Sequence, residues 1–279
     1  MGPFHFPEID PIALELGPIV IRWYALAYIA GLVFAWRYGM RIADHSPHLI
    51  KPDHIDQFLT WAIFGVILGG RFGHVFFYYP DYYLSNPIEI FKVWEGGMAF
   101  HGGLLGVIVA MLLFCRKNKL NPLWLGDVAA IVVPVGLFFG RIANFINQEL
   151  WGRITDVSWA VIFPRAGPEP RHPSQLYEAG MEGILLFLLT FGAYKLFSAR
   201  RYPGLLSGLF LIGYTLARAV GEIFREPEVL TTNLPFNTTY GQWLSVPMAL
   251  IGVWFIWRAF SKPALKQEQD KTGKKTKKA

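Results

Sequence analysis

Long apolar runs separated by short polar connections make up most of this chain. Windows of about 20 predominantly apolar residues are long enough to cross the hydrocarbon core of a bilayer as helices. Seven windows of this kind occur, at 18–38, 56–79, 98–115, 123–143, 178–197, 204–222 and 240–260. The pattern predicts an all-α polytopic membrane protein with about seven transmembrane helices.

Composition supports a single membrane domain. Of the 279 residues, 53% are hydrophobic, and no polar stretch is long enough to form a separate soluble domain. The predicted organisation is an N-terminal arm at 1–17, a membrane domain at 18–260 and a basic tail at 261–279. The arm lacks a basic start and a small-residue cleavage site, so it is not expected to be a signal peptide.

Basic residues predict the orientation. Lysine and arginine are frequent after the first, third and fifth windows and in the tail, and short connections rich in these residues stay cytoplasmic. The N-terminus is therefore expected outside, in the periplasm, and the C-terminus inside. The long connection 144–177 would then form a periplasmic cap. The net charge of +6 arises largely from the tail, which suits anionic lipid headgroups and gives no reason to expect nucleic acid as a partner.

Two of the arginines within apolar runs are the first indication of a functional site. Arg141 and Arg218 would each cost roughly 2.5–3.5 kcal/mol near the centre of a spanning helix, so such residues usually face a polar cavity or an anionic partner. Asn144 lies three residues after Arg141 and would share its helix face. Together, Arg141 and Arg218 predict a membrane-embedded site for an anion. The alternative is that Arg141 only extends to the outer interface.

A polar stripe is also predicted in the sixth window. Tyr214, Arg218 and Glu222 are spaced four residues apart and would lie on one face of a helix. Arg218 and Glu222 could pair while other guanidinium donors stay free, although a purely structural buried ion pair is the alternative. Arg225 and Glu226 lie further along and are predicted to be interfacial.

A glycine-rich segment, 95–106, precedes the third window. If a helix begins there, its free amide groups would favour a phosphate, and His101 could transfer a proton near neutral pH. The alternative is a glycine-rich turn with an interfacial histidine. Arg71, within the second window, and Tyr24, in the first, are each compatible with a pocket or with a structural role.

Several catalytic motifs are missing from the sequence. We find neither the zinc-protease His-Glu-x-x-His, nor a Gly-x-Ser-x-Gly nucleophile elbow, nor a phosphate-binding P-loop. The histidines have no metal-ligand spacing. If the protein is an enzyme, the nucleophile is expected to come from a substrate. Within the 144–177 connection, residues 159–163 are predicted to be a short strand or a buried segment.

Four blocks resemble the bacterial phosphatidylglycerol–prolipoprotein diacylglyceryl transferase family. The blocks are GRIANFINQELWG at 140–152, HGG at 101–103, RHPSQLYE at 171–178 and the stripe at 214–222. The resemblance implies transfer of the diacylglyceryl group from phosphatidylglycerol to the lipobox cysteine thiol of preprolipoproteins, with formation of a thioether and release of glycerol phosphate. It implies no cofactor and no metal, a place in the bacterial inner membrane, and membrane lipids as surroundings.

The resemblance also implies roles for individual residues. It makes His101, Arg141 and Arg218 the expected catalytic residues. The residues expected to bind or orient the phosphatidylglycerol headgroup are Tyr24, Asn144, Glu149, Gly152, Tyr214 and Glu222. The rival interpretation is a transporter or flippase for an anionic lipid, which would favour internal repeats and broken helices; a noncatalytic scaffold would leave the arginines without a purpose.

Overall fold

The computed structural model describes residues 2–7, 9–17, 19–45, 50–227 and 240–265. The helices are α1 (Trp23–Asp44), α2 (Pro52–Phe77), α3 (Pro80–Ser85), α4 (Phe100–Lys117), α5 (Pro122–Ile146), α6 (Ser174–Glu178), α7 (Leu186–Leu196), α8 (Leu205–Phe224) and α9 (Tyr240–Phe260). A π-helical segment, Ala179–Leu185, joins α6 to α7. The chain divides into two compact units, one formed by Met1–Tyr38 with Gly126–Ala279 and the other by Gly39–Leu125.

Five helical segments are long and apolar enough to cross a membrane. They are Pro52–Phe77, Phe100–Lys117, Pro122–Ile146, Ser174–Leu196 and Leu205–Phe224. Between 28% and 39% of the residues in the most apolar window of each are buried within the protein. The prediction of a polytopic helical membrane protein is supported, whereas a count of seven spans stays a prediction. The first predicted window, 18–38, overlaps α1, which continues to Asp44, and the seventh window coincides with α9.

The N-terminal part of the chain differs from the all-helical expectation. Strand β2 (Ile12–Leu16) pairs antiparallel with β3 (Ile19–Arg22), and Gly17 between them has φ of 59°, which glycine adopts without strain. The first predicted window was placed at 18–38, but residues 19–22 are extended because they complete this hairpin. The helix begins only at Trp23.

The N-terminal arm also contributes to the 144–177 connection. Strand β1 (Phe4–His5) runs parallel to β4 (Val161–Ile162), and β4 pairs antiparallel with β5 (Pro170–Arg171). Phe6, Val161 and Phe163 form a buried cluster beside this small sheet. The prediction that 159–163 is a short strand or buried segment is confirmed for Val161–Ile162 and their buried neighbours Ala160 and Phe163, whereas Trp159 is exposed and lies in a turn. The arm is packed on this segment.

A buried carboxylate joins the beginnings of α5 and α8. Asp127 is 5% exposed; its Oδ2 accepts a 2.7 Å hydrogen bond from the amide of Gly204, and its Oδ1 accepts two 2.8 Å bonds from the amide and hydroxyl of Ser207. Negative charge at a helix N-terminus satisfies free amides and complements the helix dipole. Asp127 thus fixes two helices that carry Arg141 and Arg218.

In the second unit, α2 and α4 approach closely through glycines. A Cβ built on Gly65 would lie 2.8 Å from the carbonyl oxygen of Gly106, and one on Gly73 would lie 2.7 Å from Cα of Gly102. Gly69, midway between them, meets the same face of α4. The four-residue spacing of small residues permits this backbone approach, as in many membrane helix pairs.

Arg71 has a structural role in the second unit. Its side chain is buried, and its Nε donates to the carbonyl oxygen of Ile90 at 2.8 Å while Nη1 donates to that of Gly96 at 2.7 Å. These bonds hold the connection between α3 and α4. Of the two roles left open for Arg71, the structure supports the structural one.

Candidate functional site

The two intramembrane arginines converge on one helical segment of the first unit. Arg141 lies near the end of α5 and Arg218 lies in α8. Both reach the carboxylates of Glu178, the last residue of α6, and Glu182, within the π-helical segment. Both glutamates are 0% exposed. A buried charge is tolerated only where it is paired, and here each charge meets several partners.

Arg141 is held on three of its nitrogen atoms. Its Nε and Nη2 both lie 2.9 Å from Oε2 of Glu182, and Nη1 lies 2.9 Å from Oε2 of Glu178. A guanidinium bound in this manner has a fixed plane, because its donors form a rigid fork. The orientation of Arg141 is therefore set by two carboxylates from a different helix.

Arg218 is shared among three carboxylates. The ion pair expected with Glu222, one helical turn away, is present on Nη2. Nη1 lies 3.3 Å from Oε1 of Glu178 and 3.9 Å from Oε1 of Glu182. The sequence predicted that guanidinium donors would remain free beside the Glu222 pair, and the structure corrects this, since Nη1 also faces Glu178 and Glu182.

Arg225 was predicted to be interfacial; its position relative to the membrane stays a prediction, but the structure adds an ion pair that was not predicted. Its side chain is buried, with Nη1 3.7 Å from Oε1 of Glu178. The backbone becomes extended at Arg225, which turns the side chain inward where α8 ends. Glu226, the next residue, is exposed as expected; it pairs with Arg171 at 3.3 Å.

The charges within this group balance. We name it the arginine–glutamate cluster, and its members are Arg141, Arg218, Arg225, Glu178, Glu182 and Glu222. Three cations face three anions, so the cluster is formally neutral. The side chains of Arg141 and Arg218 are still 14% and 15% exposed, which leaves a small accessible part of each to meet a ligand.

The π-helical segment places Glu182, and Glu178 lies immediately before it. π-Helical turns are rare and are often found at functional sites. Within this one, a Cβ on Gly183 would lie 2.6 Å from Cβ of Phe138 on α5, so glycine allows the segment to approach that helix closely. This contact brings Glu182 to the helix that carries Arg141.

A second polar group surrounds Glu149. Its Oε1 accepts a 2.8 Å hydrogen bond from Nδ2 of Asn144 and a longer one of 3.5 Å from Nδ2 of Asn147. Tyr24, on α1, is close enough to Asn144 and Glu149 to interact with both. Three residues predicted for the headgroup, Tyr24, Asn144 and Glu149, are therefore brought together.

The backbone beneath this polar group is held by side chains from α6. Gln148 and Leu150 have positive φ values of 52° and 57°, which turn the chain sharply after α5. Nε2 of Gln175 donates to the carbonyl of Glu149 at 2.8 Å, and Oγ of Ser174 donates to that of Leu150 at 3.1 Å. The buried Ser174 and Gln175 thus fix the position from which Glu149 extends.

Gly152 lies where three backbone segments cross. Its amide donates to the carbonyl of His172 at 3.0 Å. A Cβ at this position would lie 2.6 Å from Cβ of His172 and 2.8 Å from the carbonyl oxygen of Phe224. The crossing therefore has room only for glycine at position 152. The predicted role of Gly152 in headgroup binding stays a prediction.

Tyr214 and His101, which were also predicted as site residues, lie in different units. Tyr214 is near enough to Arg141 and Glu182 to interact with both. His101 belongs to the second unit; it is the second residue of α4, it is exposed, and its ring contacts Phe100 edge-on at 5.6 Å. Its role in the chemistry stays a prediction.

The pKa of one histidine outside the helices, His172, is shifted by its surroundings. His172 Nδ1 lies 3.2 Å from the hydroxyl of Tyr177, and its ring packs against Phe224 at 5.2 Å. Burial lowers the pKa of the His172 imidazole from its ordinary value, because removal from water disfavours the charged form.

Among the residues that the structure describes, no group of three or more His, Cys, Asp or Glu side chains could hold a metal ion.

Sequence reasoning missed the glutamates as site residues. Glu178 was seen only as the end of a sequence block, and Glu182 was not singled out. The signal was present, because both lie in the fifth apolar window, four residues apart, and intramembrane carboxylates carry the same functional implication as arginines. Their partners could not be read from the sequence, since Arg141 and Glu182 are 41 residues apart.

Fold and site define a multi-pass helical membrane protein with buried charges in its apolar helices. The family model described as "Prolipoprotein diacylglyceryl transferase" matches residues 11–258, and the chain belongs to this family. A phosphatidylglycerol–prolipoprotein diacylglyceryl transferase from Rhodospirillum centenum is 55% identical over 93% of this chain and 95% of its own length. A protein of the same name from Azospirillum brasilense is 55% identical over 93% of this chain and 97% of its own length. Another, from Agrobacterium fabrum, is 50% identical over 92% of this chain and 94% of its own length.

Proposed function

We propose that this protein transfers the diacylglyceryl group of phosphatidylglycerol to the cysteine thiol of a prolipoprotein lipobox. The names of its relatives identify the two substrates. The observation that carries the proposal is the pair of arginines, Arg141 and Arg218, held within apolar helices beside a second polar group around Glu149. Such a site suits a lipid whose phosphate must enter from the bilayer.

The reaction needs no nucleophile from the protein. The cysteine sulfur attacks the glycerol carbon that bears the phosphate ester, a carbon–sulfur bond forms, and the carbon–oxygen bond to the phosphate breaks. The thiol proton passes to a base, and the electron pair of the broken bond leaves with the phosphate as glycerol phosphate. Since a thiolate is the reactive form, the site must remove one proton and stabilise a departing anion.

Arg141 and Arg218 are proposed to bind the lipid phosphate. Charge-assisted hydrogen bonds from guanidinium groups are strong where water is scarce, and donors aimed at developing charge lower the barrier more than donors that bind substrate alone. Their orientation by Glu178 and Glu182 removes the cost of organising them during the reaction. Glu222 supports Arg218 through the pair in α8.

The remaining predicted residues have proposed roles of their own. Asn144 is hydrogen-bonded to Glu149, and Tyr24 lies close to both; their amide, carboxylate and hydroxyl groups suit the glycerol headgroup. Tyr214 would support Arg141, and Gly152 allows the backbone crossing that anchors this region. His101 is the proposed base for the thiol.

The proposed setting is the bacterial inner membrane. We propose seven spanning helices, with α1 and α9 added to the five long apolar segments. In this arrangement the arm 1–17 and the 144–177 connection face the periplasm, where prolipoproteins are presented, and the tail 261–279 lies in the cytoplasm. The basic residues after every second span support this orientation.

A reconstituted reaction tests the proposal. Purified protein in detergent is incubated with phosphatidylglycerol and a lipobox peptide, and the peptide is examined by mass spectrometry. A diacylglyceryl mass increase on the cysteine is expected. An unmodified peptide beside folded protein that binds phosphatidylglycerol would favour lipid transport instead.

The role of His101 has its own test. His101→Asn should lower turnover and remove the step in the pH–rate profile that reports the base. If the variant keeps wild-type turnover and an unchanged profile, another group removes the thiol proton.

A further inference from the structure

The arginine–glutamate cluster has as many anions as cations, although its proposed ligand is an anion. Three arginines would attract a phosphate strongly if their charge were not compensated. Here Glu178 and Glu182, both 0% exposed, approach Arg141 and Arg218 with their carboxylate oxygens. These two glutamates come from a segment different from either arginine helix, so they add charge that the arginine-bearing helices do not supply.

We propose that Glu178 and Glu182 are positioning residues that orient Arg141 and Arg218 and also cancel their charge, so that glycerol phosphate can leave. This inference rests on the proposed function. A cluster with uncompensated cations would hold substrate and product phosphate alike, and such uniform binding does not raise turnover. Compensation of the arginine charge keeps both guanidinium groups oriented for the lipid phosphate, while it lowers the affinity for the released glycerol phosphate.

The geometry distinguishes the two glutamates. Glu182 uses one oxygen for both Nε and Nη2 of Arg141, so it sets the plane of that guanidinium. Glu178 contacts Arg141 through Oε2 and approaches both Arg218 and Arg225 with Oε1. Glu182 is therefore the better position at which to remove one negative charge, because Glu178 still connects the three arginines.

The test compares Glu182→Gln with the wild-type protein in the transfer assay. The variant carries one extra net positive charge, and glycerol phosphate is expected to inhibit it at roughly tenfold lower concentration, since a hydrogen bond to a charged group is worth about this factor. Its KM for phosphatidylglycerol should fall, and its kcat should fall as well because Arg141 is less well oriented and product leaves slowly. A purely structural role would lower kcat without strengthening inhibition by product.

Two further variants serve as controls. Glu182→Asp keeps the charge but shortens the side chain, so its sensitivity to glycerol phosphate should stay near that of the wild type. Glu226→Gln removes a carboxylate that is 47% exposed and pairs with Arg171 outside the cluster; it should leave both KM and product inhibition unchanged. Unchanged or weaker inhibition in folded Glu182→Gln overturns the proposal, and so does equal strengthening in Glu226→Gln.

The wild-type protein provides a measurement that does not depend on the folding of a variant. A formally neutral cluster should bind glycerol phosphate weakly, with inhibition on the order of millimolar, and micromolar inhibition would contradict the proposal. Titration calorimetry of glycerol phosphate with wild type and Glu182→Gln separates this inference from the proposed function. Tighter binding by the variant supports charge compensation even if no thioether is formed, whereas an active wild type with equal binding in both proteins overturns only the inference.

Discussion

Nε and Nη2 of Arg141 both lie 2.9 Å from the same carboxylate oxygen of Glu182, a residue 41 positions further along the chain. The arginine lies near the end of α5, and the glutamate, which is 0% exposed, lies in the π-helical segment. This contact makes the orientation of a proposed catalytic guanidinium depend on a distant part of the sequence. It also means that a neutral replacement of either residue removes one member of a buried ion pair.

Arg141→Lys should therefore abolish most transfer even though the charge remains. A lysine ammonium is a single point charge and cannot reproduce the planar fork that meets Glu178 and Glu182. We expect kcat to fall by about two orders of magnitude, in line with the loss of one transition-state donor. Initial rates of peptide modification at saturating phosphatidylglycerol measure this fall in kcat.

Arg41→Lys is the matched control for that substitution. Arg41 is an exposed residue in the last turn of α1, and its replacement should leave the rate unchanged. A folded Arg141→Lys protein with a rate close to that of Arg41→Lys would remove Arg141 from the proposed chemistry.

Gly152→Ala should destabilise the protein. The added methyl group would lie 2.8 Å from the carbonyl oxygen of Phe224 and would also meet His172, so the backbone crossing must open. Overpacking of this kind typically costs about 1–3 kcal/mol. The thermal unfolding midpoint in detergent should fall, together with transfer activity. Gly192→Ala, on α7 with no atom within 4 Å of the added methyl, should leave the midpoint near that of the wild type.

Gly69→Ala should separate α2 from α4. A methyl group there would lie 2.7 Å from Cα of Gly106 and would collide with the carbonyl of Gly102. Gly103→Ala makes a matched comparison on the facing helix, because its nearest neighbour is 3.6 Å away. Limited proteolysis should cleave the Gly69 variant faster and leave the Gly103 variant like the wild type; equal resistance of both would show that the close approach is dispensable.

Acid should weaken the region around His172. Because burial lowers the pKa of this imidazole in the folded protein, the unfolded chain binds the proton first as the pH falls. The associated stability is present above about pH 6.5, the ordinary value, and is lost as the pH falls below it. The unfolding midpoint should decrease between about pH 7.5 and about pH 5.5. His172→Gln, which cannot be protonated in this range, should show a smaller decrease.

Local patterns were sufficient to predict part of this molecule. The apolar windows located the long helices because hydropathy over about 20 residues depends only on the local sequence. The spacing of Arg218 and Glu222 predicted their ion pair, since residues four apart on a helix are neighbours. Arg141 and Arg218 were identified because a charge in an apolar run is conspicuous by itself.

The remaining features depend on contacts between distant segments. Glu182 meets Arg141 through the fold, and the π-helical turn that carries it has no simple sequence signal. The approach of Arg225 to Glu178 was not predicted, because the chain becomes extended at Arg225 and the two residues are far apart in sequence. The β2–β3 hairpin was missed because its apolar strand is continuous with the apolar sequence of α1.

Transfer from doubly labelled phosphatidylglycerol tests the central claim most directly. One isotope is placed in the diacylglyceryl glycerol and another in the headgroup glycerol, and the lipobox peptide and the soluble products are both analysed by mass spectrometry. The account predicts that the peptide cysteine gains only the first label and that free glycerol phosphate carries the second, with both products absent for Arg141→Lys. Intact lipid and an unmodified peptide in the presence of folded wild-type protein would contradict it.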